Sequence, residues 1–199
     1  TVVAVADAPV LDLDASAGGT GFSTTYTEGG AARSVADTDI AITDVDSTNL
    51  TGATITLTNA KASDVLSVGT LPGGITATVV GNVVTLSGSA TLANYQTAIR
   101  AVTFSNTSAT PDTTARVITV TVTDGVATST AATTTIAITD LPAPVLDLDA
   151  NDSTATGSSF VGTFTENGSA ISISDTDRSV TDSDSNITSM TITLTNPQT

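Results

Sequence analysis

The sequence lacks several residue types on which common protein chemistry depends. Its 199 residues include no Cys, no His and no Trp, and only five of them are Lys or Arg. Without Cys there is no disulfide framework and no thiol chemistry. Without His there is no imidazole metal site and no Ser-His-Asp triad. No run of about 18 apolar residues is present, so no segment is predicted to insert into a membrane.

Negative charge is the largest imbalance in the composition. The chain carries 20 acidic side chains against five basic ones, which gives a formal net charge of −15. Such a chain repels nucleic acid phosphates, so nucleic acid is not a predicted partner. All the acids except Glu28 and Glu166 are Asp, whose short carboxylate favours turns and can ligate a hard cation beside its own backbone.

The rest of the chain is rich in Thr, Val, Ile and Ala, arranged in short alternating segments. Alternation over 51–58, 117–123 and 132–139 predicts strands with one buried face. A Gly-Asn pair at 81–82 between two apolar segments predicts a two-residue hairpin turn. The apolar residues of segment 92–99 have helical spacing and predict one short helix. Short strands separated by turns predict an all-β, antiparallel sandwich.

An internal repeat gives the predicted domain organisation. The Pro-Val-Leu-Asp-Leu-Asp motif at 9–14 recurs at 144–149. Further motifs recur in the same order: 26–30 at 164–168, 37–39 at 175–177, 44–47 at 182–185, and 55–59 at 192–196. We expect 1–7 to be the last strand of a preceding repeat, 8–142 a complete repeat, and 143–199 the first, incomplete part of a following repeat. Neighbouring repeats of the same chain or identical subunits are expected to complete the partial ones.

Many of the Asp residues occur two positions apart, as in Asp44/Asp46 and Asp12/Asp14. On an extended chain such residues share one face, about 6–7 Å apart, and the chain has too few basic residues to neutralise them. Ca²⁺ accepts about six to eight oxygen ligands and tolerates irregular loops, so it fits this pattern. Turn formation and solubility are the alternative role for any single Asp, whereas pairing and recurrence favour calcium.

Four acidic elements follow one another along the chain: Glu28, Asp44 with Asp46 before a predicted strand, Asp124 with Gly125 after one, and Asp140 in a linker that ends in Ala143-Pro144. This order resembles the cadherin repeat. In that repeat an early Glu, an Asp-x-Asp before a strand, an Asp-Gly after a strand and an Asp-bearing linker ending in Ala-Pro bind calcium between successive domains. The corresponding residues are Glu28, Asp44 with Asp46, Asp124 with Gly125, and Asp140. Residues 9–144 are similar to the cadherin-like, immunoglobulin-like repeats of large secreted bacterial surface proteins and adhesins. The resemblance implies a Greek-key β-sandwich repeated in tandem.

The resemblance implies a calcium site at each end of the complete repeat. The set at the junction with the preceding repeat is Asp7, Asp44, Asp46 and Asp124. The set at the junction with the following repeat is Glu28, Asp140, Asp182 and Asp184. A second tier of candidate ligands comprises Asp37, Asp39, Asp175, Asp177 and Glu166. Asp12/Asp14 and Asp37/Asp39 have no cadherin counterpart and either add ligands or form turns. Segment 92–96 lacks a cadherin acid and linker 140–143 lacks the usual Asp and Asn run, which implies fewer ions or weaker binding.

The resemblance also implies the function. By this resemblance, the chain is expected to be a non-enzymatic, calcium-stiffened extracellular repeat at the bacterial cell surface. Such a repeat acts as a spacer, extender or filament shaft of an adhesin. No base, nucleophile and oxyanion group occur together in the sequence, so no catalysis is predicted. Two alternatives stay open: a self-assembling filament subunit completed by strand exchange between neighbours, and a carbohydrate- or protein-binding adhesion module. A cell-surface or glycan ligand could also be bound through other domains.

Overall fold

The computed structural model describes residues 6–182 and 187–196 and divides the chain into two compact units. Unit 1 comprises Thr1–Asp140 and unit 2 comprises Leu141–Thr199. The elements of unit 1 are β1 (Val10–Asp12), β2 (Phe22–Thr27), β3 (Arg33–Ser34), β4 (Ala41–Thr43), β5 (Asn49–Leu57), β6 (Asp64–Val68), β7 (Thr76–Val80), β8 (Val83–Thr91), α1 (Leu92–Arg100), β9 (Val102–Asn106), β10 (Arg116–Thr123) and β11 (Ala132–Thr139). Those of unit 2 are β12 (Val145–Asp147) and β13 (Ser179–Thr181).

A six-stranded sheet forms one layer of unit 1, in the order β2-β11-β10-β5-β8-β7. Its strand pairs are antiparallel except for β11 with β2, which are parallel. Burial alternates residue by residue along β10 and β11, because successive side chains on a strand point to opposite faces. The strands predicted over 117–123 and 132–139 are therefore confirmed.

The second layer is the three-stranded sheet β3-β9-β6. Tyr26 of β2 packs edge-to-face on Phe104 of β9, with 5.6 Å between the ring centroids. The Tyr26 hydroxyl donates to the carbonyl of Asn106 at 2.7 Å, so a polar contact also joins the two layers. Buried Val, Ile, Leu and Ala side chains from both sheets and α1 form one hydrophobic cluster. The all-β sandwich prediction is confirmed, and the Greek-key connectivity stays a prediction.

Two local elements follow directly from the sequence. The helix begins after Thr91, whose hydroxyl accepts the N–H of Asn94 at 3.3 Å as an N-cap residue does. Strands β7 and β8 form the hairpin predicted at 81–82, where Gly81 has a φ of 56° that glycine adopts without strain. Both predictions are confirmed. In the described part of the chain, no helix is long and apolar enough to cross a membrane.

A small two-stranded sheet occurs in each unit. In unit 1, β1 pairs antiparallel with β4, and in unit 2, β12 pairs antiparallel with β13. The two registers match position by position under the internal repeat. Within its described residues, unit 2 forms no further strand. The small sheet at the start of the repeat therefore forms with and without the rest of the sandwich, whereas, among the described residues, the segments equivalent to β2 and β5 form strands only in unit 1.

Unit 2 exposes positions that form the core of unit 1. Tyr26 is 2% exposed, whereas its repeat equivalent Phe164 is 60% exposed. Ile55 of β5 is fully buried, whereas its equivalent Ile192 is 65% exposed. In unit 1, β5 lies between β8 and β10, and β2 lies beside β11. The described residues of unit 2 contain no counterpart of β8, β10 or β11, which explains the exposure.

Candidate metal centres

Three groups of Asp side chains converge in the described part of the chain. In each group, one carboxylate oxygen from each of three residues lies within 4.8 Å of the other two. The groups are cluster 1 (Asp14, Asp37 and Asp39), cluster 2 (Asp44, Asp46 and Asp124) and cluster 3 (Asp149, Asp175 and Asp177). At ~4 Å, each pair of charges repels by about 1 kcal/mol in water and about 4 kcal/mol near a protein surface. A bound cation would turn this repulsion into attraction.

Cluster 2 joins the loop after β4 to the end of β10. Asp44 Oδ1 accepts the N–H groups of Asp46 and Ser47 at 3.0 and 2.9 Å, which closes an Asx turn. The Ser47 hydroxyl donates to Asp124 Oδ2 at 3.0 Å and connects the two segments. The N–H of Asp7 donates to Asp46 Oδ2 at 3.1 Å. The structure thus brings together three carboxylates of the first predicted set and the backbone of its fourth member.

Hydrogen bonds from the backbone favour the charged form of two carboxylates of cluster 2, Asp44 and Asp124. Burial favours the neutral form of Asp44, but the backbone N–H groups that follow it outweigh this effect, so its pKa is lowered. The N–H groups of Ala127 and Val126 lower the pKa of Asp124. Asp44 Oδ2 is buried and has no hydrogen-bond partner among the described residues. A buried oxygen without a protein partner is costly unless a water or a cation satisfies it, so this oxygen is open to either.

Clusters 1 and 3 occupy equivalent positions in the internal repeat. The N–H of Asp37 donates to the carbonyl of Leu13 at 2.9 Å, and the N–H of Asp175 donates to the carbonyl of Leu148 at 2.8 Å. These bonds hold the turn before β4 or β13 against the end of β1 or β12. The same three acids are therefore assembled by the same backbone contacts in both units.

Cluster 3 contains the most enclosed of these carboxylates. Asp149 is fully buried, and the hydroxyl and N–H of Thr154, with two further backbone N–H groups, hold its pKa well below the ordinary range. The N–H of Thr176 and a neighbouring Ser hydroxyl lower the pKa of Asp175. Asp177 Oδ1 is buried and has no hydrogen-bond partner in the part of the chain that the structure describes. Clusters 2 and 3 thus each hold one unsatisfied carboxylate oxygen.

The second-tier candidates Asp37, Asp39, Asp175 and Asp177 all lie in clusters 1 and 3. Asp14 and Asp149 complete these clusters, and neither is among the residues that the cadherin resemblance implies. Their signal in the sequence is the repeated Pro-Val-Leu-Asp-Leu-Asp motif, which each of them ends. The first Asp of that motif forms a turn instead, since Asp12 Oδ1 accepts the N–H of Asp14 at 3.1 Å.

The geometry of the paired Asp residues differs from the sequence expectation. The pairs Asp12/Asp14 and Asp44/Asp46 were expected on extended chain with both carboxylates on one face. In the structure the first Asp of each pair accepts the N–H of the second, so the chain turns there. Asp side chains compete with strand hydrogen bonding by bonding to nearby backbone, and this local preference prevails over the extended conformation.

The set predicted at the junction with the following repeat stays a prediction. Among the described residues, none of the three clusters includes Glu28, Asp140 or Asp182. Asp140 nevertheless has a buried Oδ1 without a hydrogen-bond partner. Asp182 belongs to unit 2, and Asp184 lies outside the described residues. Glu166 is exposed in unit 2 and lies outside all three clusters.

The chemistry of the clusters fits a hard cation. Each presents three carboxylates, and in each a Ser hydroxyl donates to one of them. Oxygen donors in irregular loops suit Ca²⁺, whereas Mg²⁺ demands a near-ideal octahedron. Zn²⁺ sites are usually built from Cys and His, which the sequence lacks.

The family resemblance rests on the order of residues in this sequence. Comparison with known proteins adds no relative to it. No protein-family model, no curated protein and no solved structure matches the chain.

Proposed function

We propose that this chain is a calcium-stiffened structural repeat of an extracellular bacterial surface protein, where it serves as a spacer, extender or filament shaft. The observation that carries the proposal is the duplicated Asp cluster. Clusters 1 and 3 bring equivalent acids together in a unit with a complete sandwich and in a unit without one. Convergence of this kind supports a role for the cluster itself rather than for the hydrophobic core around it.

The proposed ion links segments that are distant in the sequence. In cluster 1 it would join the loop after β1 to the turn before β4, and in cluster 2 the loop after β4 to the end of β10. An ion bound by the folded form alone stabilises that form by about 2.7 kcal/mol when its concentration is 100 times Kd. Extracellular calcium modules bind with Kd of about 10⁻⁴–10⁻³ M, which matches a cell-surface location.

Thermal unfolding in calcium and in chelator tests the proposal. Calcium should raise the melting temperature of the chain, and magnesium at the same concentration should raise it less, because three irregularly placed carboxylates do not form a tight octahedron. Equilibrium dialysis should give the number of ions bound per chain. The same melting temperature in calcium and in chelator would contradict the proposal.

Matched variants assign the effect to the clusters. The double change Asp37→Asn with Asp39→Asn removes two charges from cluster 1 and should reduce the number of bound ions. Asp112→Asn removes a charge from a side chain outside the three clusters and should leave calcium binding unchanged. Equal loss of calcium binding in both variants would point to a general effect of net charge instead of a site.

A second candidate function rests on the exposed core positions of unit 2. We infer that strands like β8, β10 and β11, supplied by a neighbouring repeat or subunit, cover these positions. The exposure of Phe164 and Ile192 supports this proposal, since apolar surface of this kind marks an interaction site. Strand addition satisfies backbone hydrogen bonds and apolar side chains together. The whole-molecule experiment described in the Discussion tests it.

A further inference from the structure

A groove of about 530 Å³ opens on unit 1 beside the end of α1. Strands β2 and β3, the turn before β4 and the end of α1 form its walls. The side chains that matter for its chemistry are Phe22, Thr24, Arg33, Asp37, Thr97 and Arg100.

The groove contains two arginines that no acidic side chain neutralises. Among the described residues, the guanidinium of Arg33 forms no hydrogen bond and no ion pair. Within the described ranges, Arg100 donates to the carbonyl of Thr38 and, weakly, to the hydroxyl of Thr97, and its other donors form no hydrogen bond there. This is unexpected in a chain whose acids outnumber its bases by 20 to five.

The other basic residues of unit 1 behave differently. Lys61 pairs with Asp112 at 3.6 Å, and Arg116 pairs with Asp64 at 2.7 Å. Acids are thus available to basic side chains elsewhere in the same unit. Within the described residues, neither arginine of the groove forms an ion pair, although Asp37 lines the same groove, so both guanidinium groups can contact a ligand.

Two guanidinium groups in one groove favour a ligand that carries an anionic group. The planar fork of Arg matches a carboxylate through two parallel hydrogen bonds, and these bonds are stronger than neutral ones. The Thr hydroxyls in the wall can donate to or accept from ring hydroxyls, and Phe22 provides an apolar surface for a sugar face. Charge, hydroxyls and an apolar wall together describe a sugar that carries a carboxylate.

We propose that this groove binds the uronic acid residues of an acidic polysaccharide. Arg33 and Arg100 contact the carboxylate, and Thr24 and Thr97 contact the sugar hydroxyls. Asp37 lines the same groove, but its Oδ1 accepts the N–H of Thr38 at 2.6 Å. The negative net charge opposes approach of the ligand from a distance, so its recognition depends on these short contacts and is not a general attraction of anions.

Titration of the full chain with tri-galacturonate tests the proposal. The buffer contains chelator, because calcium could itself bridge the sugar to an Asp cluster. Binding in chelator therefore tests the groove independently of whether the calcium proposal is correct. We expect saturable binding by calorimetry, with NMR shifts confined to the amides of 22–24, 33–38 and 97–101. Arg33→Gln and Arg100→Gln should each weaken binding by at least about tenfold. Lys61→Gln removes one positive charge elsewhere in unit 1 and should leave binding unchanged.

Several results would overturn the proposal. The first is no measurable binding of tri-galacturonate, and the second is binding of neutral maltotriose with the same affinity. The third is undiminished binding of tri-galacturonate by an Arg33→Gln variant whose melting temperature is unchanged. Tighter binding of inorganic phosphate would assign the groove to anions in general. Tighter binding of a poly-glutamate peptide would assign it to an acidic protein partner.

Discussion

At the scale of single residues, Arg116 is the most enclosed charge in unit 1. Its side chain and that of Asp64 are both fully buried, with Nε 2.7 Å from Asp64 Oδ2. Asp64 also accepts the side-chain amide of Asn106 at 2.7 Å and the N–H of Lys61 at 2.7 Å. The carboxylate therefore organises the end of the sandwich where β6, β9 and β10 meet.

We expect Asp64→Asn to destabilise the chain by roughly 3–5 kcal/mol, because the substitution removes the buried counter-charge of the Arg116 guanidinium and leaves only the exposed Asp112 near it. Urea unfolding measures the loss. Asp112→Asn is the matched control, since Asp112 lies 3.8 Å from the same guanidinium but is 45% exposed, and its effect should be much smaller. Equal effects of the two substitutions would show that burial of the pair is not what matters.

Asp112 itself should give the chain a measurable dependence on pH. The hydroxyl and N–H of Thr114, followed by the charges of Lys61 and Arg116, lower the pKa of Asp112 below its ordinary value of 3.8. The unfolded chain then takes up this proton at higher pH than the folded chain. The stabilising contribution is complete above about pH 4 and is lost as pH falls through the lowered pKa.

The measurement compares melting temperatures of the wild type and Asp112→Asn between neutral pH and about pH 2. The wild type should be more stable at neutral pH, and the difference should shrink as the pH falls below about 4. A difference that stays constant over this range would show that the carboxylate acts through packing and not through its charge.

The limits of sequence reasoning are already visible at the residue scale. The repeated motifs identify Asp37, Asp39, Asp44 and Asp46 as candidate ligands. The Asp64–Arg116 pair spans 52 positions and leaves no pattern in the sequence, because it forms only when distant strands pack. Short spacings can be read directly from a sequence, whereas contacts between distant segments depend on the tertiary fold.

At the scale of elements, local patterns predict structure well where one rule dominates. The β7–β8 hairpin, the strands β10 and β11, and α1 each follow from a turn signal or a single periodicity. An irregularity in β8 does not follow from a local pattern of this kind. The register between β5 and β8 shifts between Leu50 and Gly52, which leaves Gly88 in a bulge with a φ of 128°. A glycine in a strand hints at a bulge, but its exact partner depends on the neighbouring strand.

We expect Gly88→Ala to cost roughly 2–5 kcal/mol. A Cβ at this position would lie 2.0 Å from the carbonyl oxygen of Gly74, and the φ of 128° is unfavourable for any other residue. Gly73→Ala is the control, because nothing lies within 4 Å of its added Cβ, and its effect should stay within about 1 kcal/mol. Urea unfolding distinguishes the two, and a neutral Gly88→Ala would contradict the described bulge.

At the scale of the whole molecule, the two units differ in how much of the repeat pattern they can satisfy. Unit 1 pairs β5 on both sides within the six-stranded sheet, and unit 2 leaves the equivalent segment without a described strand. The internal repeat predicts this difference, because the motifs that recur in unit 2 match segment 9–59 and not segment 60–140. It does not indicate which chain supplies the missing strands, since either source would bury the same side chains.

Supplying the missing strands should order unit 2. We expect a chain extended after residue 196 by a copy of segment 60–140 to protect the amides of 187–194 from hydrogen exchange, because β8- and β10-like strands would pair with them. The control extension carries Ile→Asp and Val→Asp changes at 118 and 120 of the copied segment. Rapid exchange at 187–194 in both extended chains would contradict the strand-addition proposal.

The parallel pairing of β2 and β11 determines how unit 1 should respond to a pulling force. The pairing runs from Thr134 beside Phe22 to Thr139 beside Thr27. Because β2 lies early in unit 1 and β11 lies last, pulling the chain at its two ends drags these strands in opposite directions along their length. The hydrogen bonds between them are then sheared together and not opened one after another. If repeats of this kind form a shaft, we expect this strand pair to set the force at which unit 1 extends, a quantity that single-molecule pulling measures directly.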